Sequence, residues 1–197
     1  MLDAAIRKFI AGCKVCHRIT APRQARHGVN MPLPPPLHPW EETTMDLVTD
    51  LPESTTSGFT NIVVMVDRLT KMAIYLPCRK NIDSPELARM IFKHVIGKYC
   101  IPDNIITNCG TQFTSRFWTR VCSPLSINHR LSTAFNPQTD GKTERQNQTM
   151  EQYLRAFCNY EQDNWVELLR LGEFAYNNSM HASTRMTPFW ALYRRNP

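Results

Sequence analysis

The sequence lacks any long hydrophobic run. Its longest strongly apolar stretch, Ile62 to Val66, is far too short to span a bilayer. The start, M-L-D-A-A-I-R-K-F-I, has neither the apolar core nor the cleavage pattern of a signal peptide. The seven cysteines are odd in number and scattered, which argues against a disulfide framework and favours a reducing compartment. We therefore expect a soluble intracellular protein that makes no contact with a membrane.

The composition is that of an ordinary globular protein. Of the 197 residues, 42% are hydrophobic, 20% charged and 10% aromatic, which suits one domain with appendages. A core of this size needs neither disulfides nor metal to hold it. The net charge of +6 suggests an anionic partner such as nucleic acid, although many soluble proteins share such a charge.

The first 39 residues divide into two short segments. In residues 1–20, Cys13 and Cys16 have the C-x-x-C spacing that lets two thiolates bind one tetrahedral zinc ion. A structural zinc needs two further ligands, and His17 and His27 do not follow at a familiar zinc spacing; two ordinary reduced cysteines are the alternative. Residues 21–39 hold six prolines and one glycine, which predicts an extended linker.

Residues 40–197 show the pattern of a folded α/β domain. Strands are predicted at 43–51, 61–67, 72–77, 105–107 and 126–131, and the short turns between the first three indicate an antiparallel meander. Helices are predicted at 83–99, 113–122, 142–160, 164–179 and from Thr187, with a turn-rich loop at 132–141. This order gives a five-stranded mixed sheet flanked by helices on both faces, and it resembles the ribonuclease H-like fold.

Three positions have the form of a metal site. Asp46 lies within a predicted strand, position 108 at the end of another, and Glu144 near the start of a helix, with 35 residues between the last two. Carboxylates are the hard oxygen ligands that Mg²⁺ prefers, and pairs of Mg²⁺ ions serve phosphodiester chemistry. Position 108, however, is Asn. Without their flanking residues these acids could equally be structural, since acids favour helix N-termini.

The flanking residues form motifs that follow each other in a specific order. The chain carries T-x-M-D-L-V-x-x-L-P, V-V-M-V-D-R-L-T-K-M, G-T-Q-F-T-S-R-F-W, L-S-T-A-F-N-P-Q-T-D-G-K-T-E-R and W-V-E-L-L-x-L-x-E-F-A-Y-N-N-S. Over nearly its whole length it closely resembles the integrases of gypsy-type LTR retrotransposons. The resemblance implies a catalytic core that joins element DNA ends to target DNA with two divalent metal ions, Mg²⁺ or Mn²⁺.

The resemblance also assigns roles to particular residues. The first and third acids of the family fall on Asp46 and Glu144, and Cys13 with Cys16 falls on the end of its N-terminal zinc module. We expect that module to be a truncated remnant, with Zn²⁺ bound only if it is complete, and the family's C-terminal domain to be absent after Pro197.

The departure from the family lies at Asn108, where the second acid is expected. A neutral amide cannot match the charge of a carboxylate between two dications, so we predict an integrase with severely reduced strand transfer that binds one metal ion. Asp67 and Asp140 are weak candidates to replace the missing acid. Two alternatives stay open: a domesticated, non-catalytic DNA-binding or interaction protein derived from an integrase, and a still-active enzyme.

DNA binding is a separate prediction. Lys142, Arg145 and Gln148 surround Glu144 on the helix that this family uses to hold DNA, and they would mainly contact phosphates; a solvated polar helix face is the alternative. The resemblance further implies a homo-oligomer that acts in the nucleus after passage through the cytoplasm. We expect Phe113, Phe117 and Trp118 in the core, and Trp165, Leu168, Leu169 and Phe174 between the long helices.

Overall fold

The computed structural model describes residues 6, 9, 35–107, 116–131 and 137–197, with only the backbone described at 116, 117, 120 and 137–146. The chain divides into two compact units, Met1–Leu33 and Pro34–Pro197. Cys13 and Cys16 lie outside the described residues, so the predicted zinc remnant stays a prediction. The second unit corresponds to the end of the linker and the predicted core.

Five strands form one mixed sheet. They are β1 (Glu42–Val48), β2 (Asn61–Asp67), β3 (Ala73–Cys78), β4 (Asn104–Thr107) and β5 (Asn128–Leu131). Their order in the sheet is β3-β2-β1-β4-β5. The pairs β1–β2 and β2–β3 are antiparallel, whereas β1–β4 and β4–β5 are parallel. The predicted five-stranded mixed sheet, with its antiparallel meander, is therefore confirmed.

Two strand ends differ from the prediction because the backbone turns there. Asp50 and Ser126 both have positive φ angles, of 61° and 57°, which an extended strand cannot accommodate. The first strand accordingly stops at Val48 instead of residue 51, and the last begins at Asn128 instead of residue 126.

Five α-helices are described in the second unit: α1 (Ser84–Ile91), α2 (Arg116–Cys122), α3 (Pro137–Phe157), α4 (Trp165–Asn177) and α5 (Pro188–Tyr193). Asp83 is the N-cap residue of α1, and its side chain accepts a hydrogen bond of 2.7 Å from the Glu86 N–H. The helix predicted to continue to residue 99 changes at Phe92 into a π-helical turn that ends at Ile96. The wider turn shifts the direction of the side chains that follow.

Helix α3 begins earlier than predicted. Residues 137–141, predicted as part of a loop, form its start, so the prediction was wrong there. Pro137 is compatible with this position because the first helical residue needs no N–H and its fixed φ suits a helix. The start of α4 also differs: Asn164 is its N-cap residue, but its side chain accepts from the Asn159 N–H instead of capping the helix.

The sheet is covered on both faces, as predicted. Along β2, Val63 and Met65 belong to one hydrophobic cluster while Ile62 and Val64 belong to another, as expected when alternate side chains point to opposite faces. The first cluster includes residues of α1 and α2, namely Leu87, Ile91 and Trp118. The second includes residues of α3 and α4, namely Met150, Leu154, Trp165 and Leu169.

Individual core predictions had different outcomes. Trp118 and Trp165 are buried, as expected, at 1% and 2% exposure. The side chains of Phe113 and Phe117 lie outside the described part. Phe174 was expected between the long helices, but it is 47% exposed, and Phe157 is 62% exposed. Phe157 is the last residue of α3, and Phe174 contacts Phe189 of α5 with ring centroids 5.7 Å apart, so neither reaches the sheet.

The exposed edge of the sheet at β3 is closed by side chains of α4. The Asn177 amide accepts from the Ala73 N–H at 2.9 Å and donates to the Ala73 carbonyl at 2.8 Å. Glu173 accepts a hydrogen bond of 2.8 Å from the Tyr75 N–H. These contacts satisfy backbone groups that would otherwise offer a template for another strand. Among the described helices, none is long and apolar enough to cross a membrane.

Candidate metal centre

Asp46 lies in the middle of the central strand β1. It pairs with Val64 of β2, and directly paired residues direct their side chains to the same face of a sheet. Val64 belongs to the cluster formed with α3 and α4, so the partly buried Asp46 side chain faces that layer. An acid at such a position needs polar partners, because burying an unpaired carboxylate is costly.

Both carboxylate oxygens of Asp46 accept hydrogen bonds. The Leu47 N–H donates to Oδ1 at 2.9 Å, and the Asn147 side-chain amide of α3 donates to Oδ2 at 2.7 Å. Asn147 follows Glu144 by three residues, and residues three apart share one face of a helix. The helix that carries Glu144 is therefore tied to the strand that carries Asp46, one turn from position 144. The Glu144 side chain itself lies outside the described part.

Asn147 is a site residue that the sequence analysis missed. The only local signal is its spacing of three residues after Glu144, in E-R-Q-N. Its Oδ1 atom is buried and has no hydrogen-bond partner among the described residues, which leaves an acceptor beside Asp46. Ionised carboxylate oxygens each hold two lone pairs, so Asp46 can ligate a metal ion while it keeps both hydrogen bonds. This oxygen-rich donor set fits a hard cation such as Mg²⁺.

Strand β4 ends next to Asp46. Its last residue, Thr107, pairs with Met45 and is 1% exposed. The Thr107 hydroxyl and His129 Nε2 are 2.8 Å apart, and the His129 ring meets Trp118 edge-on, with centroids 6.1 Å apart. Burial lowers the pKa of His129. Asn108 follows Thr107 in the sequence and lies outside the described residues, so its role stays a prediction.

Asp67 does not lie at this site. It pairs with Thr43, three residues before Asp46 along β1, and it is fully buried. Its carboxylate accepts hydrogen bonds from the N–H groups of Trp40, Leu69 and Thr70 and from the Thr70 hydroxyl. These bonds hold the turn after β2, which excludes Asp67 as a replacement acid. The Asp140 side chain is not described.

The remaining predicted residues are placed only in part. Lys142 and Arg145 belong to the backbone of α3, but their side chains are outside the described part, whereas Gln148 is exposed on the same helix. In the described ranges, no group of three or more His, Cys, Asp or Glu side chains could hold a metal ion. The described cysteines, Cys78, Cys100, Cys122 and Cys158, are free thiols.

Comparisons with known proteins relate the chain to retrotransposon polyproteins. It is 38% identical over 192 residues to the Tf2-3 and Tf2-4 transposon polyproteins of Schizosaccharomyces pombe, a match that covers 98% of this chain. The chain spans 14% of the length of each polyprotein. No family model matches the sequence.

Solved viral structures have the same fold. The chain superposes on a chain of the simian T-cell lymphotropic virus intasome in complex with PP2A regulatory subunit B56 gamma, with a TM-score of 0.69 and 19% identity, over 95% of this chain and 66% of that one. The catalytic core domain of BIV integrase gives a TM-score of 0.60 at 18% identity, over 79% and 95%. The HTLV-2 core domain in complex with magnesium gives 0.60 at 19%, over 79% and 97%.

Proposed function

We propose that this chain, which is homologous to a segment of the Tf2 retrotransposon polyproteins, is a retroviral-type integrase catalytic core and that its reaction is the joining of element DNA ends to target DNA. The observation that carries the proposal is the contact of 2.7 Å between Asp46 and Asn147. It joins the strand and the helix that bear the first and third acids of this family. The sheet order and the two layers of helices support the same reaction.

In this proposal Asp46 and Glu144 hold a divalent metal ion, Mg²⁺ or Mn²⁺. When bound, such an ion would supply Lewis-acid chemistry, polarising phosphodiester oxygens and stabilising the charge of the leaving oxygen. Asn147 orients the Asp46 carboxylate and, through its buried Oδ1, can accept a hydrogen bond from a polar group at the site. Position 108 directly follows Thr107, the last residue of β4, which pairs with Met45.

Asn108 weakens the proposed site. An amide offers one neutral oxygen, so two dications held close together would be less well compensated than by a third carboxylate. We therefore propose that the chain binds a first metal ion at Asp46 and Glu144, that it binds a second only weakly, and that its strand transfer is strongly impaired.

DNA contact is proposed along α3. Positions 142, 145 and 148 are each three residues apart on α3, the spacing of residues that neighbour each other on one side of a helix. The exposure of Gln148 supports this arrangement. Phosphate contacts from Lys142 and Arg145 would make the affinity fall steeply with salt. Such a function would be carried out in the nucleus.

We propose that the chain forms a homodimer through exposed apolar side chains of the π-helical turn and of α4. Three such side chains are exposed: Phe92 at 46%, Leu171 at 61% and Phe174 at 47%. Large apolar side chains exposed at a surface favour association with another protein surface. Sedimentation should show a dimer that Leu171→Glu converts to a monomer.

The proposal is tested by restoring the acid. Asn108→Asp should increase the rate of Mg²⁺-dependent joining of a duplex oligonucleotide carrying the element end, relative to the unmodified chain. Asp46→Asn in the Asn108→Asp background is the matched control and should abolish the gain. Equal joining rates for the unmodified chain and Asn108→Asp would show that Asn108 does not impair the site; no joining by either, with Mg²⁺ bound, would count against the reaction itself.

Asn108 also supports a second candidate, a domesticated DNA-binding protein without catalysis. Such a protein would bind DNA equally well with EDTA and with Mg²⁺, and Asn108→Asp would leave both the binding and the lack of joining unchanged. A metal-dependent gain of DNA joining in Asn108→Asp would exclude the non-catalytic candidate.

A further inference from the structure

A second surface with the chemistry of a nucleic-acid contact lies at α5. Trp190 and Tyr193 are 44% and 50% exposed, and their spacing of three residues sets them on one face of the helix. Three exposed arginines lie close to them in the chain: Arg185 before the helix, and Arg194 and Arg195 directly after it. We call these five residues the α5 surface.

The charge of the α5 surface is not neutralised. The 24 residues from Phe174 to Pro197 contain three arginines and no Asp or Glu. The nearest preceding acid, Glu173, is engaged with the Tyr75 N–H. In the described part of the chain, none of the ion pairs involves Arg185, Arg194 or Arg195. Unpaired cations beside exposed aromatic rings favour an anionic, ring-bearing ligand.

The rings are held in place before any ligand binds. The Thr187 side chain caps α5 by accepting a hydrogen bond of 3.0 Å from the Trp190 N–H. The Tyr193 ring stacks on Phe189 with centroids 6.3 Å apart. A ligand that stacks here would therefore lose less free energy to the ordering of side chains.

We propose that the α5 surface binds single-stranded DNA, separately from the contacts proposed along α3. Aromatic side chains stack on the faces of unpaired bases, and arginines contact the phosphates between them. A duplex hides its base faces within the stack, so it can use only the arginines. The inference rests on the proposed function solely in the choice of DNA as the ligand, and strand transfer plays no part in it.

The four tryptophans give this proposal a direct readout. Trp40, Trp118 and Trp165 are only 1–2% exposed, so Trp190 is the indole that a neutral quencher such as acrylamide reaches. A 15-nucleotide oligo-dT should protect the full chain's fluorescence from acrylamide, whereas a duplex of equal length at the same fractional saturation should not. Tyr193→Ala should weaken oligo-dT binding about tenfold.

Charge variants test the phosphate contacts. The double variant Arg194→Gln with Arg195→Gln should weaken oligo-dT binding and reduce the slope of log affinity against log salt by about 1.4. Arg79→Gln with Arg89→Gln removes the same charge from exposed positions elsewhere and should change neither the protection nor the slope beyond a small general effect. Circular dichroism should show that both double variants stay folded.

The outcomes separate the two DNA surfaces. If oligo-dT binds while Trp190 stays fully quenchable, the α5 surface is not the site, and the α3 proposal is untouched. If duplex protects Trp190 as well as oligo-dT does, base stacking is wrong. If protection rises with protein concentration in the absence of DNA, a second copy covers the surface and the proposal fails. If Gln148→Ala weakens duplex binding but leaves the oligo-dT protection intact, the two surfaces are independent, as proposed.

Discussion

Replacing Asn147 by Asp would turn the attractive contact that joins α3 to β1 into a repulsive one. In the present chain the Asn147 amide donates to Asp46 Oδ2 at 2.7 Å. In Asn147→Asp that donor is lost and a second carboxylate faces the first. A hydrogen bond to a charged group contributes about 1.5–3 kcal/mol, and the repulsion of two partly buried charges adds to its loss. We expect the free energy of unfolding to fall by about 3 kcal/mol in EDTA.

Mg²⁺ should then rescue this variant more than it stabilises the unmodified chain. Two facing carboxylates make a stronger hard-cation site than a carboxylate and an amide, and a ligand at 100 times its Kd adds about 2.7 kcal/mol. Thermal unfolding measures both effects, since a change of 1 kcal/mol shifts the Tm of a chain of this size by about 2–4 °C. The matched control is Gln148→Glu, which makes the same chemical change at the neighbouring exposed residue.

The expected pattern is a large Tm loss in EDTA for Asn147→Asp alone, recovered in part by Mg²⁺. If Asn147→Asp is as stable in EDTA as Gln148→Glu, then Asn147 does not contact Asp46 in solution. If the loss is present but Mg²⁺ gives no recovery, the contact is real and the surroundings of Asp46 do not form a cation site.

Three further predictions follow from packing and burial. Gly172→Ala should lower the free energy of unfolding, measured by denaturant titration, by about 1–3 kcal/mol, because a Cβ would lie 2.7 Å from the Tyr153 ring. Adding Tyr153→Leu to this variant should recover part of the loss. If the second substitution recovers nothing, the two side chains do not clash. Because burial lowers the pKa of His129, the unfolded chain takes up a proton at His129 at a higher pH than the folded chain does. Stability should therefore fall as the pH drops below the ordinary histidine pKa, and His129→Gln should flatten that part of the profile; an unchanged profile would contradict it. Burial raises the pKa of Glu173, so its ionised form is disfavoured on folding. Glu173→Gln, which can still accept from the Tyr75 N–H, should therefore raise the Tm above that of the unmodified chain by more at pH 7 than at pH 4. A variant with a lower Tm than the unmodified chain at pH 7 would show that the charge of Glu173 is stabilising.

The parts of this fold that were predictable are those set by local pattern. The apolar runs at β2 and β3 and the Asp-Ser-Pro start of α1 indicate their elements directly, and the short turns fix the antiparallel pairing. Helix ends were less predictable. The conversion to a π-helical turn at Phe92 depends on how the helix packs, and the start of α3 at Pro137 depends on contacts that a turn-rich sequence does not reveal.

The candidate site likewise contains one residue that the sequence reveals and one that it does not. Asp46 could be singled out because an acid within an apolar strand is unusual. Asn147 could not, because its contact with Asp46 joins residues 101 positions apart, and an Asn on a polar helix resembles any solvated side chain. Asp67 is a candidate ligand by sequence alone, but in the structure its carboxylate accepts hydrogen bonds that hold the turn after β2. Long-range contacts of this kind depend on the sheet register, which no local pattern specifies.

The central claim, that an integrase metal site is weakened by one substituted residue, is tested most directly by calorimetric titration of Mg²⁺. The unmodified chain should bind a first ion and a second only weakly, whereas Asn108→Asp should bind the second ion with higher affinity, and Asp46→Asn should remove binding in both backgrounds. Two ions bound by the unmodified chain as tightly as by Asn108→Asp would contradict the claim, and so would Mg²⁺ binding that survives Asp46→Asn.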